Sequence, residues 1–374
     1  MPDDLCYAPV HELAQRINKK EISPLDVVEA SLRRIEEVNP KVLGFIHVTA
    51  DQARKEAKRA GEEIAAGRSK GPLHGIPFGV KDIIDTAGVR TTMGSAFFMD
   101  NVPREDAFAV AGLKRAGAIL LGKCHTQEFA SGPLSHNPHL GTARNPWDLR
   151  RITGGSSTGS AASVASGMAS AALGTDTGSS IRGPATHCGV VGLKPTHGRV
   201  SLSGVCPNAL SYDHVGPLAR TARDTALVLQ AIAGYDPRDP YSREAPVPDF
   251  STGLEEGVKG LRLALCPDLC ENTEVDAEIQ LAFDRAVGVL RELGAKVETL
   301  PFAGAARIRA VGEAIMSHEF IEFHRPLYAK DPSKYGEFTR KRIEDRLGTG
   351  NPDSYIRAQR ERVLNLLAQR KLLD

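Results

Sequence analysis

The chain has 374 residues, with 47 lysines and arginines against 46 aspartates and glutamates, so its net charge is close to zero. This balance argues against a protein that binds nucleic acid or a charged membrane surface, because such proteins carry an excess of basic side chains. The amino-terminal stretch is acidic and lacks the apolar core of a signal peptide, and no apolar run is long enough to span a bilayer.

The cysteines indicate the cellular compartment. There are six, at Cys6, Cys124, Cys188, Cys206, Cys266 and Cys270. They are scattered through a long chain without a secretion signal, which favours reduced thiols over a disulfide framework. We therefore expect a cytoplasmic protein.

The first 70 residues predict a layer of helices. A helix begins at Ser23, with Pro24 in its first turn, and the Asn-Pro pair at 39–40 is predicted to end it. Residues 45–48 read as a strand, and residues 51–66 as a charged helix in a solvated outer layer.

Helices and strands then alternate. Residues 78–84 predict a buried strand with Lys81 pointing inward, followed by a helix at 107–116 and a strand at 118–121. Residues 134–151 are rich in Pro, Asn and Gly and predict a loop. This alternation is typical of an α/β fold.

Residues 154–195 are almost free of large side chains. Two serine-bearing turns, 154–157 and 177–180, flank a small-residue segment at 159–172 that we predict to be a helix. Small residues leave backbone N–H groups uncovered, and such groups bind anions or stabilise a developing oxyanion.

The last third of the chain predicts a strand at 261–265, another at 296–300, and helices at 304–327 and 354–373. The apolar face of a helix between the two strands carries Ile279, Ala282, Ala286, Val289, Leu290 and Leu293. We predict a single large domain, a mixed β-sheet covered by helices on both faces. Its parts are an N-terminal helical layer at 1–70, a core at 71–240 that carries both serine-bearing turns, and a C-terminal part at 241–374.

Three motifs suggest other functions and are rejected. Residues 117–124 fit a phosphate-binding G-x-x-x-x-G-K loop, but four apolar residues fill its middle, and Cys124 replaces the final Ser or Thr. His318 and His324 are six positions apart, so their rings lie on different helix faces. The remaining candidate, the cysteine pair at 266 and 270, lacks redox C-x-x-C spacing. We expect no metal and no cofactor.

The two serine turns and an upstream lysine resemble the signature of the amidase signature family of Ser-Ser-Lys amide hydrolases. Ser180 follows Ser156 by 24 positions, and Lys81 lies in a Gly-Ile-Pro-x-x-x-Lys-Asp context. The resemblance extends over about residues 21–236 and more weakly beyond them, and three linked motifs in the right order make it specific. It implies the amidase signature fold and an acyl-enzyme mechanism.

The resemblance also implies the roles of the site residues. Ser180 is the nucleophile, Ser156 relays the proton, and Lys81 is the base, which burial must keep neutral near pH 7. The peptide bond between Gly155 and Ser156 is expected to be cis. The oxyanion hole is expected to consist of the backbone amides of Thr177, Gly178, Ser179 and Ser180. Asp176 and Arg182 flank the nucleophile turn and are expected to support it through hydrogen bonds.

Two residues depart from the family pattern. Thr158 and Ser179 stand where the family has glycine. Ser179 places a side chain beside the oxyanion hole, and Thr158 adds bulk near the proton relay. Neither change removes a catalytic group, so we expect altered specificity or rate rather than loss of function.

Three functions stay open: a free-standing amidase, the glutaminase A-type subunit of a tRNA-dependent amidotransferase, or an inactive scaffold of the same fold. Motifs at 145–148, 190–196 and 213–218 fit the second function but are shared with stand-alone amidases. The expected binding partner is a small-molecule amide substrate. A homodimer is compatible with the sequence. Amidotransferase partner subunits are expected only for the second function, and no direct nucleic-acid or membrane binding is expected.

Family members usually continue past this length into further strands. The last readable element here is the helix at 354–373, and no glycine cap or strand follows it. We therefore expect a truncated chain, with a central sheet whose edge is exposed. The apolar positions of this helix, which imply a packed face, are Ile356, Val363, Leu366 and Leu367.

Overall fold

The computed structural model describes residues 2–270, 274–302, 304–348 and 351–373. The chain divides into two compact units. The first contains Met1–Phe250 and Glu319–Thr349, and the second contains Ser251–His318 and Gly350–Asp374. The α/β class is confirmed, whereas the three-part division of the sequence stays a prediction.

The bounds of the elements are as follows. The helices are α1 Pro2–Tyr7, α2 Val10–Asn18, α3 Pro24–Val42, α4 Ala50–Ala65, α5 Phe108–Arg115, α6 Thr158–Ala165, α7 Arg182–Cys188, α8 Ala222–Ile232, α9 Ala277–Glu292, α10 Ala305–Lys330, α11 Glu337–Leu347 and α12 Pro352–Leu373. The strands are β1 Phe45–Val48, β2 Pro77–Lys81, β3 Ile119–Cys124, β4 His136–Asn137, β5 Gly141–Thr142, β6 Arg144–Asn145, β7 Asp148–Ile152, β8 Ala171–Thr175, β9 Val191–Gly192, β10 Val215–Ala219, β11 Arg262–Leu265 and β12 Lys296–Thr299. Short 3₁₀ turns occupy Glu128–Ala130, Pro267–Cys270 and Pro332–Lys334.

Helix α3 begins as its sequence predicts. The Asp26 amide donates to Ser23 Oγ at 3.1 Å, and the Ser23 amide donates to the Asp26 carboxylate at 2.8 Å, which forms a capping box. The predicted end at 39–40 is wrong, because the helix continues to Val42. A proline in the last turn removes only one N–H donor, and the helix ends at Leu43, whose φ of 54° is left-handed.

The main sheet of the first unit has six strands in the order β1-β3-β2-β8-β10-β9. Strand β2 pairs in parallel with β3 and β8, whereas the β1–β3, β10–β8 and β10–β9 pairs are antiparallel. The predicted mixed sheet is therefore confirmed. Because parallel strands end at the same edge, the carboxyl ends of β2, β3 and β8 lie together.

Alternate residues of the inner strands pack on opposite faces of this sheet. Leu120 and Leu173 belong to a core cluster that also contains residues of α5 and α8. Ile119 and Leu121 belong to a second cluster, with residues of α3, α4 and α6. Both faces are covered by helices, as predicted.

The predicted helix at 159–172 is wrong in its second half. Helix α6 ends at Ala165, the chain turns at Gly167 with φ of 75°, and β8 enters the centre of the sheet. Every residue of β8 is buried, so the strand shows no alternation of polar and apolar residues. Its small side chains fit a close approach, since a Cβ on Gly174 would lie 2.8 Å from Ser157 Oγ.

The second unit contains a separate pair of strands. Strands β11 and β12 pair in parallel with each other, so the prediction of one sheet for the whole chain is wrong. In the described part of α9 only Val287 is buried, whereas Ile279, Val289 and Leu293 are 63%, 52% and 59% exposed. The apolar face predicted for this helix is therefore largely exposed in the part of the chain that the structure describes.

The apolar face of helix α12 is also exposed. The apolar positions predicted to form a packed face are 48–57% exposed, namely Ile356, Val363, Leu366 and Leu367. The expectation that further strands complete the main sheet stays a prediction. None of the helices within the described ranges has both the length and the apolar character that crossing a bilayer requires.

Candidate active site

Lys81 lies at the carboxyl end of β2, and its side chain is completely buried. Its Nζ atom lies 2.8 Å from Ser156 Oγ and 2.7 Å from Thr175 Oγ1. Thr175 ends β8, the parallel neighbour of β2, so the sheet itself brings the lysine and the threonine together. The contact with Ser156 is expected from the sequence, whereas the contact with Thr175 is not.

Burial determines the protonation of this lysine. It lowers the pKa of Lys81 from 10.5 to about 7, because the ammonium loses its hydration. The carboxylates of Asp176 and Asp213 oppose this change, since negative charge favours the protonated amine. Near neutral pH a substantial fraction of Lys81 is therefore a neutral amine that can accept a proton.

The bond between Gly155 and Ser156 is cis, in agreement with the sequence-based expectation. Only glycine fits at position 155, because a Cβ there would lie 2.3 Å from Leu134 O. Ser156 is fully buried, and its carbonyl oxygen accepts a hydrogen bond from Thr126 Oγ1 at 3.2 Å. The serine is thus held on both its side-chain and backbone sides.

Ser157 connects the two serine turns. Its amide donates to Ser180 O at 3.1 Å, and its hydroxyl donates to Thr175 O at 3.1 Å. From the sequence, Ser157 is predicted only as part of the first serine-bearing turn. The signal that could have found it is its position directly after Ser156 in the first serine-bearing turn.

Ser180 is the accessible member of the predicted triad. It is half-buried, whereas Lys81 and Ser156 are completely buried. Ser180 is therefore partly accessible from solvent, whereas the lysine and the first serine lie in the protein interior.

Asp176 organises the turn that carries Ser180. Its carboxylate accepts two hydrogen bonds from the Arg182 guanidinium, both at 3.0 Å, and further bonds from the amides of Ser179 and Ile181 at 2.8 and 3.1 Å. Burial favours the neutral acid, but the hydrogen bonds from Arg182 and Ser179 outweigh burial and lower the pKa of Asp176. The supporting contacts expected of Asp176 and Arg182 are present.

The four amides predicted for the oxyanion hole are not equivalent. The Ser179 amide already donates to Asp176 Oδ1, so its inclusion among the available donors needs correction. In the described loop, the amides of Thr177, Gly178 and Ser180 donate to no protein acceptor. These three amides stay available for an oxyanion.

Ser179 adopts a φ of 98°, a backbone conformation that favours glycine. The turn therefore has a glycine-type backbone conformation at Ser179, although this residue carries a side chain. Such a conformation costs a non-glycine residue about 1–3 kcal/mol.

We predict that Ser179→Gly raises the free energy of unfolding by about 1 kcal/mol, since glycine relieves the strain but gains entropy in the unfolded chain. Ser179→Ala is the matched control, because it removes the hydroxyl and keeps the Cβ. Urea unfolding followed by circular dichroism compares the three proteins. Equal midpoints for the glycine and alanine variants would contradict a backbone origin of the effect.

Thr158 is fully buried against the end of β3. Its hydroxyl lies 2.7 Å from His125 Nδ1 and 3.0 Å from His125 O. Burial lowers the pKa of His125 to about 4, so the imidazole is neutral at pH 7. The added bulk of Thr158 thus packs against a neutral histidine, and its effect on specificity or rate stays a prediction.

Two of the motifs rejected as functional sites, residues 117–124 and the histidine pair at 318 and 324, contain residues with structural contacts. Lys123 is buried in β3, where its Nζ atom donates to Ile84 O and to the hydroxyls of Thr86 and Thr91, so residues 117–124 form a strand rather than a phosphate loop. His324 Nδ1 lies 2.8 Å from the Tyr335 hydroxyl.

Comparison with known proteins identifies the family. The amidase family profile matches residues 26–369, which is most of the chain. The chain belongs to the amidase family. Its serine and lysine motifs lie within the matched region.

Individual relatives agree with this assignment. The chain is 48% identical over 288 residues to the A-type subunit of a glutamyl-tRNA(Gln) amidotransferase from Geobacter sp. (strain M21), a match that covers 77% of this chain and 59% of the relative. This amidase-family chain thus spans somewhat less than two thirds of the length of that relative.

Two solved structures have the same fold. Native peptide amidase from Stenotrophomonas maltophilia superposes with a TM-score of 0.83 and 31% identity, over 95% of this chain and 78% of that one. A protein described as part of a vestigial complex related to an s-triazine catabolic enzyme superposes with a TM-score of 0.91 and 34% identity. This match covers 96% of this chain and 77% of the other.

Proposed function

We propose that this protein is an amidase that hydrolyses a carboxylic amide to the acid and ammonia or an amine. The observation that carries the proposal is the buried Lys81 amine, with a pKa of about 7, placed 2.8 Å from Ser156 Oγ. A serine hydroxyl at its ordinary pKa is a weak nucleophile and needs such a base. The three residues Lys81, Ser156 and Ser180 are the proposed catalytic residues.

In the proposed mechanism, Ser180 Oγ attacks the amide carbonyl carbon. Its proton passes to Ser156 Oγ as the Ser156 proton passes to the neutral Lys81 amine. The carbonyl oxygen becomes an oxyanion, which the free amides of the 177–180 turn stabilise through hydrogen bonds. The same relay then returns a proton to the leaving nitrogen, and the C–N bond breaks.

The acyl group then remains as an ester on Ser180. A water molecule attacks this ester, giving its proton to the same relay, and the ester bond to Ser180 breaks. The carboxylic acid leaves, and the protons on Ser156 and Ser180 are restored. No step requires a group from outside the chain other than substrate and water.

A second candidate function is that of a glutaminase subunit, which releases ammonia from glutamine for a partner. The observation that favours it is the 48% identity to the A-type subunit of a glutamyl-tRNA(Gln) amidotransferase. The likeness to a member of a vestigial complex also supports an assembly with partner chains. The six free cysteines support a reducing, cytoplasmic setting for either function.

The test is ammonia release from a panel of amides that includes glutamine, aliphatic amides and peptide amides. A serine-directed phosphonyl fluoride is added in parallel, and the labelled residue is identified by mass spectrometry. Ammonia release together with a label on Ser180 is expected. Glutamine turnover that appears only with amidotransferase partner subunits would favour the second function, and absence of both turnover and label would favour an inactive scaffold.

A further inference from the structure

A tight turn at residues 208–213, which we call the 208–213 turn, lies beside the nucleophile loop. The amides of Tyr212 and Asp213 both donate to Ala209 O at 2.8 Å. One carboxylate oxygen of Asp213 accepts from the amides of Asn208 and Ala209, at 2.8 and 3.0 Å. The side chain of Asp213 therefore closes its own turn.

The other oxygen of the Asp213 carboxylate contacts Thr177, a residue of the proposed oxyanion hole. Thr177 Oγ1 donates to Asp213 Oδ1 at 2.5 Å, and Thr177 supplies one of the three available amides. Asp213 is buried, and burial raises its pKa while these hydrogen bonds oppose the change. Both oxygens of Asp213 are used inside the protein, so this carboxylate positions the loop rather than binding a substrate.

Glu319 also holds the 208–213 turn. Its two carboxylate oxygens accept from a single residue, from the Ser211 amide at 3.0 Å and from the Ser211 hydroxyl at 2.6 Å. A two-point contact of this kind fixes orientation as well as distance. The turn has a third attachment, because Asn208 Nδ2 donates to Ala130 O at 3.1 Å.

The segment of α10 that carries Glu319 is itself well anchored. The next residue, Phe320, is buried, and His324 packs edge-on against Phe129 with ring centroids 4.7 Å apart. The ring nitrogen Nδ1 of His324 also lies within hydrogen-bond distance of the Tyr335 hydroxyl. Glu319 therefore projects from a rigid helix face and not from a mobile loop.

We propose that Glu319 is a positioning residue for the oxyanion hole. Through Ser211 it fixes the 208–213 turn, the turn fixes Asp213, and Asp213 fixes Thr177 and its amide. Loss of the Glu319 contact leaves Ser180, Ser156 and Lys81 in place but lets the Thr177 amide move away from the developing oxyanion. This inference rests on the proposed amidase function.

Glu319→Gln is the most informative variant, because it keeps the size of the side chain and loses one of the two acceptor oxygens. Removing a whole oxyanion donor costs roughly 100- to 1,000-fold in kcat. A displaced donor costs part of that, so we expect kcat to fall about 10-fold with KM within about twofold. Ser211→Ala, which removes the hydroxyl partner, is expected to give a similar fall, and the double variant no more than either single one.

Two controls separate positioning from general destabilisation. Glu322→Gln removes a charge from an exposed residue of the same helix and is expected to leave kcat unchanged. Val228→Ala trims a buried residue of α8 and is expected to lower the melting temperature without changing kcat of the folded protein. Ser211→Thr keeps the hydroxyl donor and is expected to retain most of the activity.

The rate at which the phosphonyl fluoride labels Ser180 gives a readout that does not need a known substrate, because the phosphoryl oxygen occupies the oxyanion hole. This rate is expected to fall in Glu319→Gln in parallel with kcat. A labelling rate equal to wild type in Glu319→Gln and in Ser211→Ala would overturn the positioning role while leaving the amidase proposal intact. A wild-type protein that neither releases ammonia nor takes up the label would overturn both proposals.

Discussion

Replacing Ser180 by alanine is expected to lower amide turnover by roughly 10⁴-fold or more, as removal of a catalytic nucleophile does in other serine hydrolases. The reason is that the half-buried Ser180 hydroxyl forms the bond to the substrate, and neither Ser156 nor Lys81 is exposed enough to replace it. The fold should persist, because the Ser180 carbonyl still accepts from Ser157.

Ammonia release and phosphonyl fluoride labelling measure this effect, with circular dichroism as the check on folding. Ser166→Ala is a matched control, since its hydroxyl donates to Ala162 O inside α6 and takes no part in the relay. It should retain wild-type turnover. A Ser180→Ala protein that still hydrolysed amides at the wild-type rate would show that the nucleophile lies elsewhere.

The residues of the candidate site could be identified from the sequence because they lie in short linear motifs. The two serine turns and Lys81 each lie in a distinctive local sequence, and their order and spacing identify them. The contact between Lys81 and Ser156 follows once the family is recognised, and the structure places these atoms 2.8 Å apart.

Contacts that depend on strand order could not be predicted in this way. Thr175 reaches Lys81 because β8 is the parallel neighbour of β2, although nearly a hundred positions separate the two residues. Asp213 reaches Thr177 because β10 returns antiparallel to β8. A single sequence contains each residue but not the pairing that brings them together.

Strand β8 resembles a helix in sequence for a physical reason. Its sequence is Ala-Ala-Leu-Gly-Thr, in which only the last residue is β-branched and none is aromatic, and both of its faces are buried. Neither propensity nor alternation therefore identifies it. Only the close approach at Gly174 explains why small residues are needed there.

The second unit illustrates a different limit. The apolar spacing of α9 correctly predicts a helix and one of its faces, but spacing alone does not determine what covers that face. In the first unit, helix α11 escapes prediction because its sequence is strongly polar, and only Thr339 and Ile343 are buried in it.

Removing the amine of Lys81 is expected to be nearly as damaging as removing Ser180. Lys81→Met should lower turnover by roughly 10²–10⁴-fold, which is the usual contribution of a general base. Lys81→Arg should be at least as inactive, because a guanidinium stays protonated at every accessible pH and cannot accept the proton of Ser156. Steady-state ammonia release at pH 8 measures both.

Lys81→Met should also stabilise the folded protein against unfolding. The folded protein holds Lys81 at a pKa of about 7, below its ordinary value, so the unfolded chain binds more protons at neutral pH. Burial of this amine therefore destabilises the fold most at low pH, and the penalty disappears as the pH rises from about 7 towards the ordinary lysine value. Lys81→Met should raise the melting temperature at pH 7, with the gain shrinking at higher pH.

The pH dependence of turnover tests the base directly. Below its pKa of about 7 Lys81 is protonated, so kcat/KM in the wild type should fall about tenfold per pH unit on the acidic side and level off above about pH 8. Ser179→Gly, which leaves the lysine environment unchanged, should have the same midpoint. A rate that is level from about pH 5 to about pH 9 would count against a neutral lysine, because protonation of Lys81, whose amine lies 2.8 Å from Ser156 Oγ, must stop the relay.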